Sequence, residues 1–393
     1  MVLLIKLEND WFDLTTMHHP GGDMINLFHM KDGTVAYKSI HGRNTLSPHL
    51  KKRIISFENK ENDVLENRNR FEYYESKQKP NYKFDSDLAK EIRVLNFKDS
   101  QVAPLSWWIR FFFITIMFIY LEYEYRYNPS YIKSILLGTT YALIGLNIGH
   151  DASHGAVSKK PILNEQIAHY MDFIGNNSIS WFKQHVVQHH GYTNENKHDP
   201  DTFGGAPLMF FDKENKKHDY GLYFTPVLSL LGFSYIFGFM RVLNVPKQYK
   251  MTAISWRLFL YFRLFSPLIT GGFTYFRLLN LAFVILFSGG VLGILFVVSH
   301  NTTKTKRNPL KNSDDWYRNQ IETSCTYGGK IAGYLTGGLN YQIEHHCFPR
   351  MNSMHYPKIH YKLKQLCKKY KVEYNYYDNF IVNFIDTMKW INV

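Results

Sequence analysis

Eighteen histidines stand in this 393-residue chain, and most of the informative ones come in groups. His150 and His154 lie in G-H-D-A-S-H, and His185, His189 and His190 lie in Q-H-V-V-Q-H-H. Gln342, His345 and His346 lie in N-Y-Q-I-E-H-H, while His300 stands alone in V-V-S-H-N. Helical positions four apart project from one face, so each group can aim two imidazoles at one point. Imidazole nitrogens bind transition metals, and a single zinc ion needs only three or four protein donors. Eight histidines and an amide exceed that need and suit two ions, with iron, zinc, copper and nickel all compatible. One His-x-x-x-His pair is a common coincidence on a helix surface, whereas three groups beside successive apolar segments are not. The three cysteines, Cys325, Cys347 and Cys367, support neither a disulfide framework nor a thiolate metal site, and they suit a reducing compartment.

These groups must be held by the segments that precede them. Ser106 to Leu121 and Tyr131 to Gly149 are nearly all apolar or aromatic, with the polar turn Glu122 to Pro129 between them. A second pair runs from Ile254 to Thr270, weakened by Arg257 and Arg263, and from Leu278 to Ser299. Each block is about long enough to cross ~30 Å of hydrocarbon as a helix. A shared site requires an even number of crossings between His190 and His300, so the Gly- and Pro-bearing Tyr220 to Met240 is expected to lie in the interface. Lys159, Lys160, Lys247, Lys250, Lys304, Lys306 and Arg307 flank the blocks on one side, which the positive-inside bias makes cytosolic. The net charge of +13 fits an anionic membrane face, and no lysine-rich repeat or zinc-finger spacing points to nucleic acid. Tyr120, Tyr123, Tyr125, Tyr127 and Tyr131 read as an aromatic belt at a membrane boundary. Lys6, Glu8 and Asp10 break the apolar start of the chain, so no cleavable signal peptide is expected. Lys362 to Lys371 reads as a solvated basic face.

The expected fold is mainly α: a four-helix integral-membrane bundle over residues 101–393 with a cytosolic two-metal histidine site. Residues 56–100 form a charged linker ending in an amphipathic helix on which Leu88, Ile92 and Leu95 share a face. Residues 1–55 form a small α+β domain. Asp151, Asn194, Asp199 and Asp201 sit close enough in sequence to orient imidazoles or hold substrate polar groups, and ordinary capping or turn chemistry explains them equally well. Trp181, Trp316 and Gln320 are expected to surround the site.

The three histidine groups resemble the boxes of membrane fatty-acid desaturases, and specifically of front-end desaturases, where glutamine replaces the first histidine of the third box, here Gln342. The flanking words H-D-A-S-H-G-A-V-S, D-P-D and G-G-L-N-Y-Q-I-E-H-H-C-F-P extend the likeness, which runs from about Leu88 to Tyr377. The resemblance implies two iron ions held at His150, His154, His185, His189, His190, His300, Gln342, His345 and His346. It also implies dioxygen and a fatty acyl lipid or acyl-CoA as substrates, a polyunsaturated chain of the delta-5 kind, and residence in the endoplasmic reticulum membrane. His19-Pro20-Gly21-Gly22, followed by D-G-T-V-A-Y and His41, resembles the haem centre of cytochrome b5, slightly shortened. Its glycines would let the backbone approach a porphyrin and its two histidines would clamp the iron of haem b, with an NADH-dependent cytochrome b5 reductase as partner. Trp11, Phe12, Leu14, Ile25, Leu27, Phe28 and Tyr37 are candidate walls, and His18, His29 and His49 are alternative ligands. Rival readings are a lipid hydroxylase of the same superfamily, a zinc-dependent membrane hydrolase or receptor, and an inactive lipid-binding relative.

Overall fold

The computed structural model describes residues 2–17, 19, 22–41, 46–56, 81–95, 101–195, 198–203, 232, 236, 238, 245 and 247–392. The chain opens with β1 (Leu4–Leu7) antiparallel to β2 (Asp10–Asp13), which pairs in turn with β3 (Ile54–Ile55). Alternation along β1 turns Ile5 and Leu7 inward against Phe12, Leu14 and Leu50. A 3₁₀ turn (Gly22–Phe28), α1 (Thr34–His41) and α2 (Pro48–Lys51) complete this small α+β unit.

The expected amphipathic helix is α3 (Asp87–Val94), whose N-terminus is closed by Ser86 Oγ accepting from the Ala89 N–H at 3.0 Å. Leu88 and Ile92 are buried and Leu95 packs at the edge of the same cluster, beside Trp316, Ile359 and Leu363. The charged stretch over 57–80 and 96–100 lies outside the described residues.

Among the described residues, three helices are long and apolar enough to cross a membrane: Leu105–Tyr127, Tyr131–Ser153 and Tyr275–His300. The first is α4. The second comprises α5 (Tyr131–Ile144), a π-helical turn (Gly145–Gly149) and α6 (His150–Ser153). The short helices α7 (Pro161–Ala168), α8 (Tyr170–Phe173) and α9 (Ser178–Trp181) lead into a π-helical run, Phe182–His189. After these come α10 (Lys247–Gly271) and the third long apolar helix, α11 (Tyr275–His300). The C-terminal part holds α12 (Trp316–Glu322), α13 (Lys330–Thr336), α14 (Gln342–Cys347), α15 (Tyr356–Lys369) and α16 (Phe380–Ile391). Strands β4 (Thr326–Tyr327) and β5 (Tyr376–Tyr377) join in parallel among them.

The bundle carries its apolar residues outward as well as inward. Ile109, Phe113 and Ile116 of α4 are exposed, as a face meeting hydrocarbon would be. The expected span at Ile254 to Thr270 is α10, which has the length but not the composition, because Arg257 and Arg263 lower its hydropathy. Both arginines turn into the protein. Arg257 donates to Ile236 O at 2.6 Å, and Arg263 donates to Phe173 O at 3.0 Å and pairs with Glu122 at 2.8 Å. Outward, α10 shows Met251, Leu258, Phe262 and Ile269. The tyrosine belt loses one member: Tyr125 is buried and donates to Leu264 O, because its position on α4 faces α10. Of the segment 220–240 only Gly232, Ile236 and Gly238 are described, so its expected interfacial course lies outside the described residues; Ile236 is fully buried in the bundle.

Helices α5 and α11 meet backbone to backbone. A Cβ added at Gly138 would stand 2.5 Å from Val284 O, and one turn away Ser134 Oγ donates to Asn280 Oδ1 at 2.6 Å. Since α5 runs through the π turn into α6 and the first histidine group, and α11 ends at His300, this contact sets their relative height. Gly138→Ala should force the pair apart and destabilise the fold by about 1–3 kcal/mol, the ordinary cost of overpacking. Thermal unfolding in detergent reads this, and an unchanged midpoint would show that α5 and α11 tolerate separation.

Candidate metal centre

All three histidine groups leave regular α-geometry or sit at its end. The π-helical run Phe182–His189 bonds i to i+5, which widens the turn so that His185, His189 and His190 share one side. The π turn Gly145–Gly149 likewise precedes His150 and His154. Group three begins α14 after Gly337 and Gly338, at φ +67° and +84°; a Cβ at Gly337 would stand 2.4 Å from Leu146 O. Only glycine permits both the left-handed backbone and this approach, which seats the third group against the first.

The outcome is one buried cluster. His150, His154, His185 and His345 offer nitrogens all within 4.8 Å of one another, and His189, His300 and His346 form a second such set. His190 lies between the two, with its ring centroid 4.6 Å from those of His154 and His345 and 4.3 Å from that of His346. Nε2 of His150 and Nε2 of His185 stand 3.0 Å apart. The isolated His300 enters the cluster because α11 ends there.

Outer partners fix several of the rings. His189 Nδ1 meets the Asp199 carboxylate at 3.0 and 3.1 Å, His300 Nδ1 donates to Thr323 O at 3.1 Å, and His346 Nδ1 donates to Gln320 Oε1 at 2.7 Å. His345 Nδ1 is 2.9 Å from Tyr356 Oη. Each such bond turns the opposite nitrogen, Nε2, inward. With Nδ1 protonated, Nε2 of His300 and of His346 present lone pairs, and Gln342 Nε2 sits 3.0 and 3.3 Å from them. The amide nitrogen thus serves two lone pairs that a cation would take, and half a turn of the amide offers its oxygen to that cation instead.

The donor set fits metal. Seven imidazole nitrogens, from His150, His154, His185, His190 and His345, are buried without a hydrogen-bond partner, as is Gln342 Oε1. At about 1–3 kcal/mol for each unsatisfied buried group, the imidazoles alone would cost on the order of 10 kcal/mol, comparable to the net stability of a domain. Burial pushes His154, His185, His190, His345 and His346 well below the usual imidazole range, leaving them neutral, the form that ligates. His189 differs. Burial opposes its charge, but Asp199 and then Asp201 outweigh that and lift it to about 9.

The profile of the fatty acid desaturase family matches residues 129–378, which include every one of these histidines. The chain belongs to the fatty acid desaturase family. It is 31% identical to the chloroplastic acyl-lipid (7-3)-desaturase of Chlamydomonas reinhardtii, over 93% of this chain and 76% of that one. A probable Delta(5) fatty acid desaturase C of Dictyostelium discoideum is 27% identical over 97% of this chain and 89% of its own. The sn-1 linoleoyl-lipid 6-desaturase of Synechocystis sp. is 27% identical over 65% of this chain and 78% of its own.

Around the desaturase's histidines, the flanking polar residues divide by role. Asp199 touches an imidazole directly. Asp151 does not: its carboxylate accepts from Trp107 Nε1 at 2.8 Å, Asn352 Nδ2 at 3.0 Å and Ser353 Oγ at 2.8 Å, bracing the first group against α4 and the stretch after the third. Asn194 works through backbone, with Nδ2 near His300 O at 3.2 Å and Thr323 O at 3.1 Å, the latter carbonyl being the one that orients His300. Asp201 lies 3.3 Å from His189 Nδ1. Trp181 stacks on His185 with centroids 4.7 Å apart, whereas Trp316 stacks on Phe84 away from the cluster. Tyr356 and Thr323 were not legible as orienting residues, since Tyr356 stands 11 residues from the His345 ring it meets and Thr323 stands 23 from His300.

In the N-terminal unit, His19 and His41 have ring centroids 6.0 Å apart. Two imidazoles on opposite sides of one metal, each nitrogen about 2 Å from it, would place their centroids roughly 6 Å apart. His41 Nδ1 donates to Tyr37 O at 2.8 Å, which fixes the orientation of the ring. Both histidines line a cavity with Leu14, Ile25, Phe28 and Tyr37. Other expected wall residues point elsewhere: Phe12 is sealed in the sheet core and Leu27 packs on Ile179 and Val245. His29 is committed to the sheet, accepting the Leu4 N–H at 3.2 Å, His49 lines the cavity, and His18 lies outside the described residues.

Replacing Asp199 by Asn removes the charge that holds the Nδ1 proton of His189. Asp199→Asn should weaken metal retention about ten- to hundredfold, as loss of an outer carboxylate does elsewhere. Metal per protein across a chelator titration measures this, and retention equal to the parent would free Asp199 of that role.

Proposed function

We propose that this desaturase inserts a double bond between an existing one and the carboxyl end of a polyunsaturated acyl chain on a membrane lipid, at a pair of iron ions. The observation that carries the reading is the single buried cluster of eight neutral or carboxylate-paired imidazoles, with inward nitrogens left for metal. His150, His154, His185 and His345 would hold one ion and His189, His300 and His346 the other, with His190 and Gln342 placed to serve the space between. Bound iron supplies the activation of dioxygen needed to remove hydrogen from two neighbouring methylenes. The protein's own contribution is placement and exclusion of water. Trp181 covers His185, and Phe296 packs edge-on to Trp181 at 5.5 Å, giving the cluster an apolar side that acyl methylenes can meet. The names of the relatives, acyl-lipid and Delta(5) desaturases, favour a lipid-borne chain.

Residues 101–393 would form the desaturase unit with α10 as a fourth crossing, supported by its apolar outward face and inward arginines. Four crossings return the chain to one side, so the histidine groups and both termini would face the cytosol of an endoplasmic reticulum membrane. Residues 1–55 would carry haem b on His19 and His41, supported by their spacing, and receive electrons from an NADH-dependent cytochrome b5 reductase.

Yeast expressing the chain and fed a panel of polyunsaturated acids should yield lipids with one added double bond on the carboxyl side of those present. Mass spectrometry locates it; a hydroxylated product lacking a new double bond would favour the hydroxylase reading. Gln342→Ala should lower turnover about tenfold or more while losing less iron than His345→Ala or His346→Ala, because an amide is the weaker donor. Full activity in Gln342→Ala would remove the amide from the site and with it the front-end assignment. Tags placed at Asn128 and Thr274 should label from the lumen, and a lumenal signal from a tag at Asn194 would overturn the four-crossing topology.

A further inference from the structure

The small N-terminal unit and the histidine-bearing core enclose a cavity of about 840 Å³ between them. Met17, His19, Ile25, Phe28 and His41 line it from one side. From the core come Ser153, His154, Ile179, Phe182 and Tyr249. The two sides are fixed against each other by direct packing. Met24 and Leu27 rest on Ile179 and Ala253, Val35 joins the cluster around Trp316, and Lys38 Nζ lies 5.9 Å from the centroid of the Phe84 ring.

Charge is distributed unevenly around this space. Lys159 and Arg350, both exposed and both from the core, line the cavity and also an adjoining one of about 240 Å³ that His41, Gly155 and Ser158 share. Of the N-terminal unit's cations, Arg53 reaches the cavity, where it donates to Thr16 Oγ1 at 3.1 Å, and Glu165 of the core lines the cavity as its carboxylate. Haem b is a flat apolar ring with two carboxylates on one edge. A site for it needs two axial nitrogens, apolar walls on both faces and cations for that edge. The N-terminal unit offers the nitrogens and one wall.

We infer that the haem site is shared, with the desaturase core supplying the second wall through Ile179 and Phe182 and the cations for the haem carboxylates through Lys159 and Arg350. The inference rests on the haem reading given above. It gives the cavity a further meaning: His41 and His154 border one space, so the electron-donor site and the metal cluster are neighbours within a single chain and need no diffusional encounter.

The test uses the full chain purified in detergent, with haemin titrations followed by Soret absorption, the haem midpoint potential, and iron counted at the histidine cluster. Ser158→Trp fills the cavity from the core side, and Lys159→Gln with Arg350→Gln removes the cations. Each should weaken haemin binding, the double variant about tenfold, the size of one lost charge-assisted hydrogen bond. The double variant should also lower the midpoint potential, since loss of positive charge favours the oxidised form, while iron content stays at the parent value. Lys159→Arg with Arg350→Lys should restore both quantities. If the parent binds haemin with a bis-histidine spectrum that His41→Ala abolishes, yet the core variants match it in affinity and potential, the N-terminal unit makes the site alone and the inference falls. If the parent shows no bis-histidine spectrum, the haem reading itself falls and takes the inference with it.

Discussion

Burying eight imidazoles together is the constraint on which the rest of this desaturase depends. Lone pairs taken out of water and left unsatisfied are destabilising, and a cluster of them is tolerable only where cations can share them. Burial also drives most of these rings to the neutral state, so desolvation prepares the donors that make a metal favourable. Around the cluster, Asp199, Thr323, Tyr356 and Gln320 satisfy the outward nitrogens of His189, His300, His345 and His346 and so keep their inward nitrogens convergent.

That outer shell is chemically varied. His189 faces a carboxylate, His300 a backbone carbonyl, His346 a side-chain amide and His345 a phenol. A carboxylate strengthens its imidazole as a donor more than a neutral carbonyl does, so the rings differ as donors toward metal. Asn194 and Asp151 act one step further out, by holding backbone and loops rather than rings. The second histidine set therefore depends on packing between α11, α12 and α14 as much as on its own residues.

The membrane-embedded part obeys the same rule from the other side. Outward faces are apolar, whereas arginines and glutamate turn inward and find partners, as Arg263 does with Glu122, Tyr141 Oη and Phe173 O. Mean hydropathy describes such a helix poorly, because it averages an apolar outward face with a paired polar inward one. This is why α10 looks weak as a sequence and coherent as a surface.

The sequence by itself determined the donors and their local spacing. Histidines four or five apart beside apolar blocks are read from the chain, because helical periodicity and burial are local properties, and Asp199 could be suspected from its nearness to His189. Tertiary structure decided the remainder. It alone brought His300 from the end of α11 to His346, since no local pattern encodes a contact across such a separation. Tyr356 and Thr323 became partners of imidazoles through packing of distant segments, Gln320, expected around the site, was set on His346, the π-helical turns reset which residues share a face, and Gly337 proved to be a point of contact with Leu146. Periodicity assigns residues to a face, but only the packing of one element on another decides what that face meets.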